Sequence, residues 1–586
     1  MKFPAKNIVF FWAMLSACGV FHAQTRVIAP PKPDTLKAKT IDLQSVTIQG
    51  VLNAPEIRAY QSDFFPLTLS QRGRLSTAAF RGMPPGFFEY EYAGNRLSNP
   101  VAGFWNEQWL PYHQIDERHH GFGDFREAYE PPIPVTAKPI SRIFFSQDYT
   151  VNLSLIDLGF TQKISKTNYV QLSGSNFLSD GSEPQDFSVS KVNTYRAQAH
   201  FQGQGWQMDS FYWQMRHRFN MSPETNGIRD KFKQIGHFAW IRWQKKLGDS
   251  DSLVITPAYS NVEDDYTRAL DRQRDIRYQI LRLEMRYLHK AGGGFFGVQS
   301  EGNYVRNVPN GNWVKSVEIG GEARLFYDHP KGNWHIRAEA GTFFHSDIDA
   351  SALGALSIKR QFGSNGAVGV GAFYQPQATP ALWRHIAQDS IPAYASTTPM
   401  IRQSAYAIFQ ANLARGLFLR VEPFAMRMEN YPDLAADRKS WGVRNMGNYG
   451  IRGKIGLNFG RFYLENDLTY HAKYKEAYAP QIKNVTTLKT SIYLFRNALR
   501  LDGILTWRYI GDFQTIEFDR WLNYYRIGSE PNGRFNLGDA RIQAQFRNAT
   551  VFFIWENLRS EDYFVVNHTL ESLLIFRLGV DWFLFN

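Results

Sequence analysis

The 586-residue chain has a single cysteine, Cys18, so no disulfide can form within it. No apolar run of about 20 residues follows residue 26, which excludes a membrane-crossing helix. If the chain spans a bilayer, it must do so with strands. HExxH, GxSxG, CxxC and phosphate-loop patterns are all missing. His119-His120 does not have metal-ligand spacing and reads as a polar turn. The chain is therefore not expected to be an enzyme, and no cofactor or metal is implied. The formal net charge is +12, yet no compact basic stripe carries it, which sets nucleic-acid binding aside.

Aromatic residues are abundant: 15 Trp, 29 Tyr and 45 Phe, with a mean hydropathy that is still negative at −0.38. That combination suits a barrel with a lipid face, a wet interior and aromatic girdles. Lys2 and Lys6 flank the start of an apolar run from Ile8 to Ala17, which reads as an export signal over residues 1–23, cut after Ala23. Leu15-Ser16-Ala17-Cys18 competes as a lipobox, which would make Cys18 a lipidated first residue. Residues 24–40, with Pro and Lys and no apolar periodicity, read as a flexible periplasmic segment. Ile41 to Gly50 alternates like a short strand, and the Pro-rich residues 51–130 complete a small domain over 41–130.

Residues 131–586 follow a different rule. Trp334, Ile336, Ala338, Ala340, Thr342 and Phe344 share one face of a strand, and Arg337 and Glu339 lie on the other. Leu281, Leu283 and Met285 alternate with Arg282, Glu284 and Arg286, and Ile319, Ala323 and Leu325 with Glu318, Glu322 and Arg324. Side chains point to opposite faces at period two, so each segment has one dry and one charged side. The segments run to 9–15 residues, longer than an average soluble strand and long enough to span when tilted. About 22 such segments occur, an even number, as bacterial barrels have. Short junctions near 247, 291, 330, 364, 416, 460 and 497 alternate with long ones at 177–188, 219–231, 264–273, 377–397, 430–446, 473–483 and 512–537. The acidic run Glu263-Asp264-Asp265 falls in one long loop and reads as a solvated tip, with Ca²⁺ binding as the alternative. The last segment, from Leu574 to Leu584, has an unbroken apolar face and reads as the closing strand. The expected fold is all-β: a transmembrane antiparallel barrel of 22 strands with a small N-terminal domain.

Ser76-Thr77, Arg81-Gly82, Gly94, Asn99-Pro100, Pro111, Ile115, Glu117 and Arg118 fall in one 44-residue stretch from Leu75. This pattern resembles the second half of the plug domain of TonB-dependent outer-membrane receptors, with Ile41–Gly50 similar to the opening strand. The resemblance implies that the small domain is a plug in the lumen, and that Arg81 pairs with wall carboxylates. Glu318, Glu322, Glu339 and Glu465 are the candidates for that pairing. Only 24 residues separate Gly50 from Leu75, Ala93-Gly94 replaces the usual Asp-Gly, and Thr25–Ile28 is the sole weak TonB-box candidate. The implied plug is reduced, and engagement of TonB stays open. Tyr525 to Asn557 more loosely resembles a porin family of the Bacteroidota. Pro84-Pro85-Gly86-Phe87-Phe88 reads as a rigid apex whose aromatics either stack on a solute or pack against the wall.

The lumen charges Arg282, Glu284, Arg286, Glu318, Glu322, Arg324, Arg337, Glu339 and Glu465 favour a polar or charged solute. The first functional reading is transport of such a solute across the outer membrane, receptor-like or porin-like. The second is a non-transporting barrel that binds an outer-membrane or periplasmic protein. Either way the lipid bilayer of the outer membrane is the expected surrounding.

Overall fold

The computed structural model describes residues 50–585 apart from 70–72, 111–116, 121–124, 132–137, 151, 180–188, 222–229, 269–271, 292, 310–316, 364–365, 386–391, 415, 436, 438, 567–568, 570 and 572–573. The export signal, Cys18, the strand from Ile41, Pro111 and Ile115 lie outside the described residues.

Among its described residues the N-terminal part holds one short α-helix, α1 (Ala54–Ala59), a 3-10 turn at Glu107–Trp109, and six strands: β1 (Phe64–Thr68), β2 (Ser76–Phe80), β3 (Glu89–Tyr92), β4 (Asn95–Leu97), β5 (Glu117–His120) and β6 (Arg126–Glu130). Asn53 caps α1 by accepting from the Glu56 N–H, and Pro55 occupies the first turn, where its missing N–H costs nothing. β1 pairs with β2, and β4-β3-β6-β5 form a second small sheet. Ala93 and Gly94 both have positive φ, 51° and 77°, the conformation a two-residue β3–β4 hairpin requires. His119 and His120, expected in a turn, lie on β5 opposite Ala128 and Glu127, because antiparallel pairing with β6 takes up their backbone.

The rest of the chain is mostly strand. In order come β7 (Ile140–Asp148), β8 (Leu153–Lys163), β9 (Tyr169–Ser179), β10 (Ser190–Gly203), β11 (Trp206–Met221), β12 (Asp230–Lys246), β13 (Asp251–Arg268), β14 (Arg272–Ala291), β15 (Gly294–Pro309), β16 (Val317–Lys331), β17 (Trp334–His345), β18 (Ile348–Gln361) and β19 (Gly366–Gln377). After helix α2 (Ala381–His385) come β20 (Met400–Ala414), β21 (Leu417–Leu434), β22 (Trp441–Phe459), β23 (Phe462–His471), β24 (Ile482–Leu494) and β25 (Leu499–Ile510). A separate hairpin, β26 (Phe513–Asp519) and β27 (Tyr524–Asn532), precedes β28 (Phe535–Phe546), β29 (Ala549–Glu556) and β30 (Ile575–Phe585). β7–β25 and β28–β30 close into one antiparallel barrel of 22 strands, sealed where β30 pairs β7 from Phe585↔Ile140 to Arg577↔Asp148. Closure leaves no unpaired edge, as lipid demands.

The outer face is apolar. Leu325 is 64% exposed, Ile319 55%, Leu281 52% and Trp334 45%, whereas Arg324, one residue from Leu325, is 6% exposed. The closed barrel with this apolar outer face makes the membrane crossing, and among the described residues no helix is long and apolar enough to cross a membrane. Several strands outrun the bilayer: β14 has 20 residues where about 9–11 suffice. Most of the long connections gather at one end of the barrel, which in transmembrane barrels faces the exterior. The acidic run expected at a loop tip therefore sits within β13, and Asp264 is only 4% exposed. Arg274 and Asn523 bond its carboxylate, which leaves no solvated tip there.

Candidate functional site

The N-terminal small domain fills the lumen as a plug, and its backbone and side chains bond to the wall on several strands. Arg81, at φ 50°, and Gly82, at φ 81°, form a tight left-handed pair after β2. A Cβ on Gly82 would stand 2.5 Å from the Asn448 side-chain nitrogen, so wall and plug backbone meet where only glycine fits. Asn448 donates to the Arg81 carbonyl at 2.8 Å, and the Tyr478 N–H to the Gly82 carbonyl at 2.9 Å. The Arg81 guanidinium bonds the Glu422 carboxylate of β21, with Asp63 at 3.7 Å and the Phe424 ring 4.8 Å away.

Glu422 was not among the expected partners of Arg81, and each of the four that were is engaged elsewhere. Glu318 accepts from Arg384 at 2.7 Å. Glu322 bonds Arg324 and Gln375, Glu339 bonds Arg324 and Arg337, and Glu465 pairs Lys454 at 2.8 Å. Which wall carboxylate meets Arg81 depends on how the plug is rotated in the barrel, which no local pattern encodes.

Further contacts tie plug to wall. Asp63 takes Arg452 of β22, and Ser62 bonds Asp467 and Thr469 of β23. Lys483 of β24 donates to the carbonyls of Arg58, Gln61 and Phe64 at 3.0, 2.7 and 2.6 Å. Arg541 and Arg577 both reach Glu56 on α1, at 3.0 and 2.6 Å. Arg402 of β20 bonds Glu89 at 2.6 Å and the Phe87 carbonyl at 3.0 Å. Arg282 of β14 donates to the Arg96 carbonyl and the Ser98 hydroxyl.

Glu89, which sequence reasoning passed over, sits among Arg96, Arg126 and Arg402. Burial alone would raise its carboxyl, but Arg402, Arg96 and Arg126 outweigh burial and hold it well below the usual carboxylate range. Of the remaining lumen charges, Glu284 and Arg286 face each other at 3.5 Å on the wall. Arg337, with its side chain 45% exposed, folds onto Glu339.

The apex aromatics are inside. Phe87 is fully buried, 6.1 Å from Phe373 of β19, and Phe88 packs with Phe64, Phe80 and Tyr90. Phe87 thus meets the wall, whereas Phe88 packs within the plug itself. Pro84 and Pro85 are buried beside them, and the Phe87 N–H closes a turn onto the Pro84 carbonyl. Asn99 accepts from the Val101 and Ala102 N–H groups at 3.1 and 3.0 Å, which fixes the turn that contains Pro100. Gly94 lies against the Arg242 side chain.

The outward side is covered. Ala381 and Leu382 of α2 donate to the carbonyls of Pro100 and Val101, both at 3.0 Å. Trp383 packs on Tyr431, Trp441 and Tyr524, and its indole N–H reaches the Leu522 carbonyl at 3.0 Å. The β26–β27 hairpin folds inward as well, with Tyr525 against Phe104 and Phe513 against Phe65. Glu318, Asp347 and His385 come close enough to hold a metal ion, but Arg384 already bonds both carboxylates there.

This arrangement can be compared with known structures. The siderophore receptor PirA of Acinetobacter baumannii superimposes with a TM-score of 0.73 at 11% identity, covering 93% of this chain and 97% of its own. A point mutant of the ferric enterobactin receptor PfeA of Pseudomonas aeruginosa gives 0.73 at 10%, covering 90% and 95%. The FrpB iron transporter of Neisseria meningitidis gives 0.71 at 10%, covering 93% and 98%. The chain has the plugged-barrel fold of these proteins. In sequence, a family described as "Putative porin" matches residues 442–586, the C-terminal quarter of the chain. No curated protein sequence matches it.

Proposed function

We propose that the protein carries a small polar or charged solute across the outer membrane through its plugged barrel. The observation that carries this reading is the nature of the seal: the lumen is filled by a folded segment held largely by reversible ion pairs and hydrogen bonds to the wall, not by a covalent link. A plug of this kind can rearrange. Breaking one buried ion pair costs about 3–5 kcal/mol. Releasing Arg81, Glu89, Glu56 and Asp63 together would be prohibitive without an external input, so displacement of part of the plug is the cheaper route. The siderophore receptors and iron transporter that share the fold support the reading by analogy of architecture. Coupling to TonB and a Bacteroidota origin belong to the same proposal, through the plug and porin resemblances.

Purified protein in a planar bilayer, with uptake compared between parent and deletion strains, tests it. Solute-dependent conductance or an uptake defect is expected. A closed bilayer together with unchanged uptake would overturn the proposal.

One observation favours a second reading, a permanently sealed barrel that binds a protein partner: α2 and the β26–β27 hairpin already lie on the plug. Recovery of a stoichiometric outer-membrane or periplasmic partner from a native pull-down, with no conductance, would support that reading instead.

A further inference from the structure

The plug meets the wall along two seams of different character. Against β11 and β12 the seam is dry. Tyr92 and Trp105 of the plug pack on Trp213 at 5.9 and 6.2 Å, and on Trp240 and Phe238 at 6.2 and 5.4 Å. Far around the ring, between α1 and the strands β24, β25, β29 and β30, lies a cavity of about 100 Å³. One water needs about 10–15 Å³ of such space, so this crevice holds several waters or a molecule of a few heavy atoms.

Its lining includes Ala59, Tyr60, Lys483, Arg508, Glu56 and Glu571. Each of these charges is already held within the protein. Glu56 is bonded by Arg541 and Arg577, Lys483 by three carbonyls, Arg508 by Asp539 and Glu571 by the Thr68 hydroxyl. Glu56 and Glu556 with Arg541 and Arg577, and Arg508 with Asp539, are charge pairs, while the Lys483 cation rests on carbonyls and the Glu571 carboxylate on a hydroxyl, so the charges around the crevice balance and leave dipoles and hydrogen-bonding groups with little net field. It suits an uncharged polar molecule better than an ion. The plug side of the crevice is formed by α1, a six-residue helix too short to be stable alone, together with β1. A shift of α1 away from the wall would widen the crevice.

We propose that small uncharged polar solutes of glycerol size pass the plug along this seam, between α1 and β24–β25 and β29–β30, while the aromatic seam stays shut. The proposal rests on the transport reading above.

The test uses the full-length protein in proteoliposomes, with glycerol flux measured by stopped-flow light scattering. Ala59, partly exposed at the end of α1, becomes Trp to fill the crevice, and Tyr92 becomes Ala to loosen the aromatic seam. Ala59→Trp should cut flux at least about fivefold, because an indole would fill much of a crevice of about 100 Å³. Tyr92→Ala should leave flux near the parent value. Unchanged flux in Ala59→Trp, or flux raised by Tyr92→Ala, overturns the seam and leaves the transport reading standing. No glycerol flux in the parent protein likewise overturns the seam, and the transport reading then falls only if uptake is also unchanged in the deletion strain. If Ala59→Trp does not assemble, Ala59→Cys decides. Labelling by a small methanethiosulfonate with loss of flux supports the seam, and failure to label above the parent overturns it.

Discussion

Arg81 shows what one buried charge requires. Its guanidinium has left water and is held by Glu422, with Asp63 further off. Glu422→Gln removes the stronger partner and leaves the cation in place, which should cost about 3–5 kcal/mol, measured as a lower urea midpoint for protease protection of the plug. Glu465→Gln is the contrast. Its pair with Lys454 is partly exposed, so the loss should be within about 1 kcal/mol. Glu89 adds a pH dependence. Its folded-state value lies well below the usual range, so its contribution to stability is present above the unfolded value, near pH 4.3, and is lost as pH falls toward the folded value. Protease protection of the plug should therefore hold from neutral pH down to about pH 4 and weaken below it, and Glu89→Gln should flatten that acid limb.

At the scale of elements, strands were legible and packing partners were not. Ile319, Leu325, Leu281 and Trp334 betrayed the outer face because period-two alternation is local and lipid imposes it on every strand. The same argument missed the lumen face of β11 and β12, where Trp213 and Trp240 replace charges to receive the plug's Tyr92. It also ended β13 too early, since acidic residues are expected in loops until Arg274 and Asn523 are seen beside Asp264. The inward fold of β26–β27 left no local signal. Two changes test elements. Ala338→Arg places a cation on the outer face of β17 and should destabilise the barrel by up to about 2–4 kcal/mol in reversible unfolding from lipid. Trp383→Ala removes the aromatic anchor of α2. It should cost about 3–5 kcal/mol of local packing, read as faster proteolysis in the 378–399 connection while the barrel stays folded.

The strands β7–β25 and β28–β30 form a closed cylinder with a dry outside and a filled inside. Closure satisfies the edges of the barrel strands, the lipid fixes the register of faces, and the plug supplies partners for lumen charges that would otherwise face each other or water. Transport, in this account, is a property of how the seal yields, and the two seams divide that work between an anchor and a path.

The sharpest test of this architecture is a cysteine scan of residues 336–339 in lipid vesicles, each site carrying a fluorophore quenched either by nitroxide lipids or by aqueous iodide. Quenching should alternate strictly, with lipid quenching at 336 and 338 and iodide quenching at 337 and 339. Iodide quenching at all four positions, or lipid quenching at 337 and 339, would contradict a membrane-spanning barrel with this register.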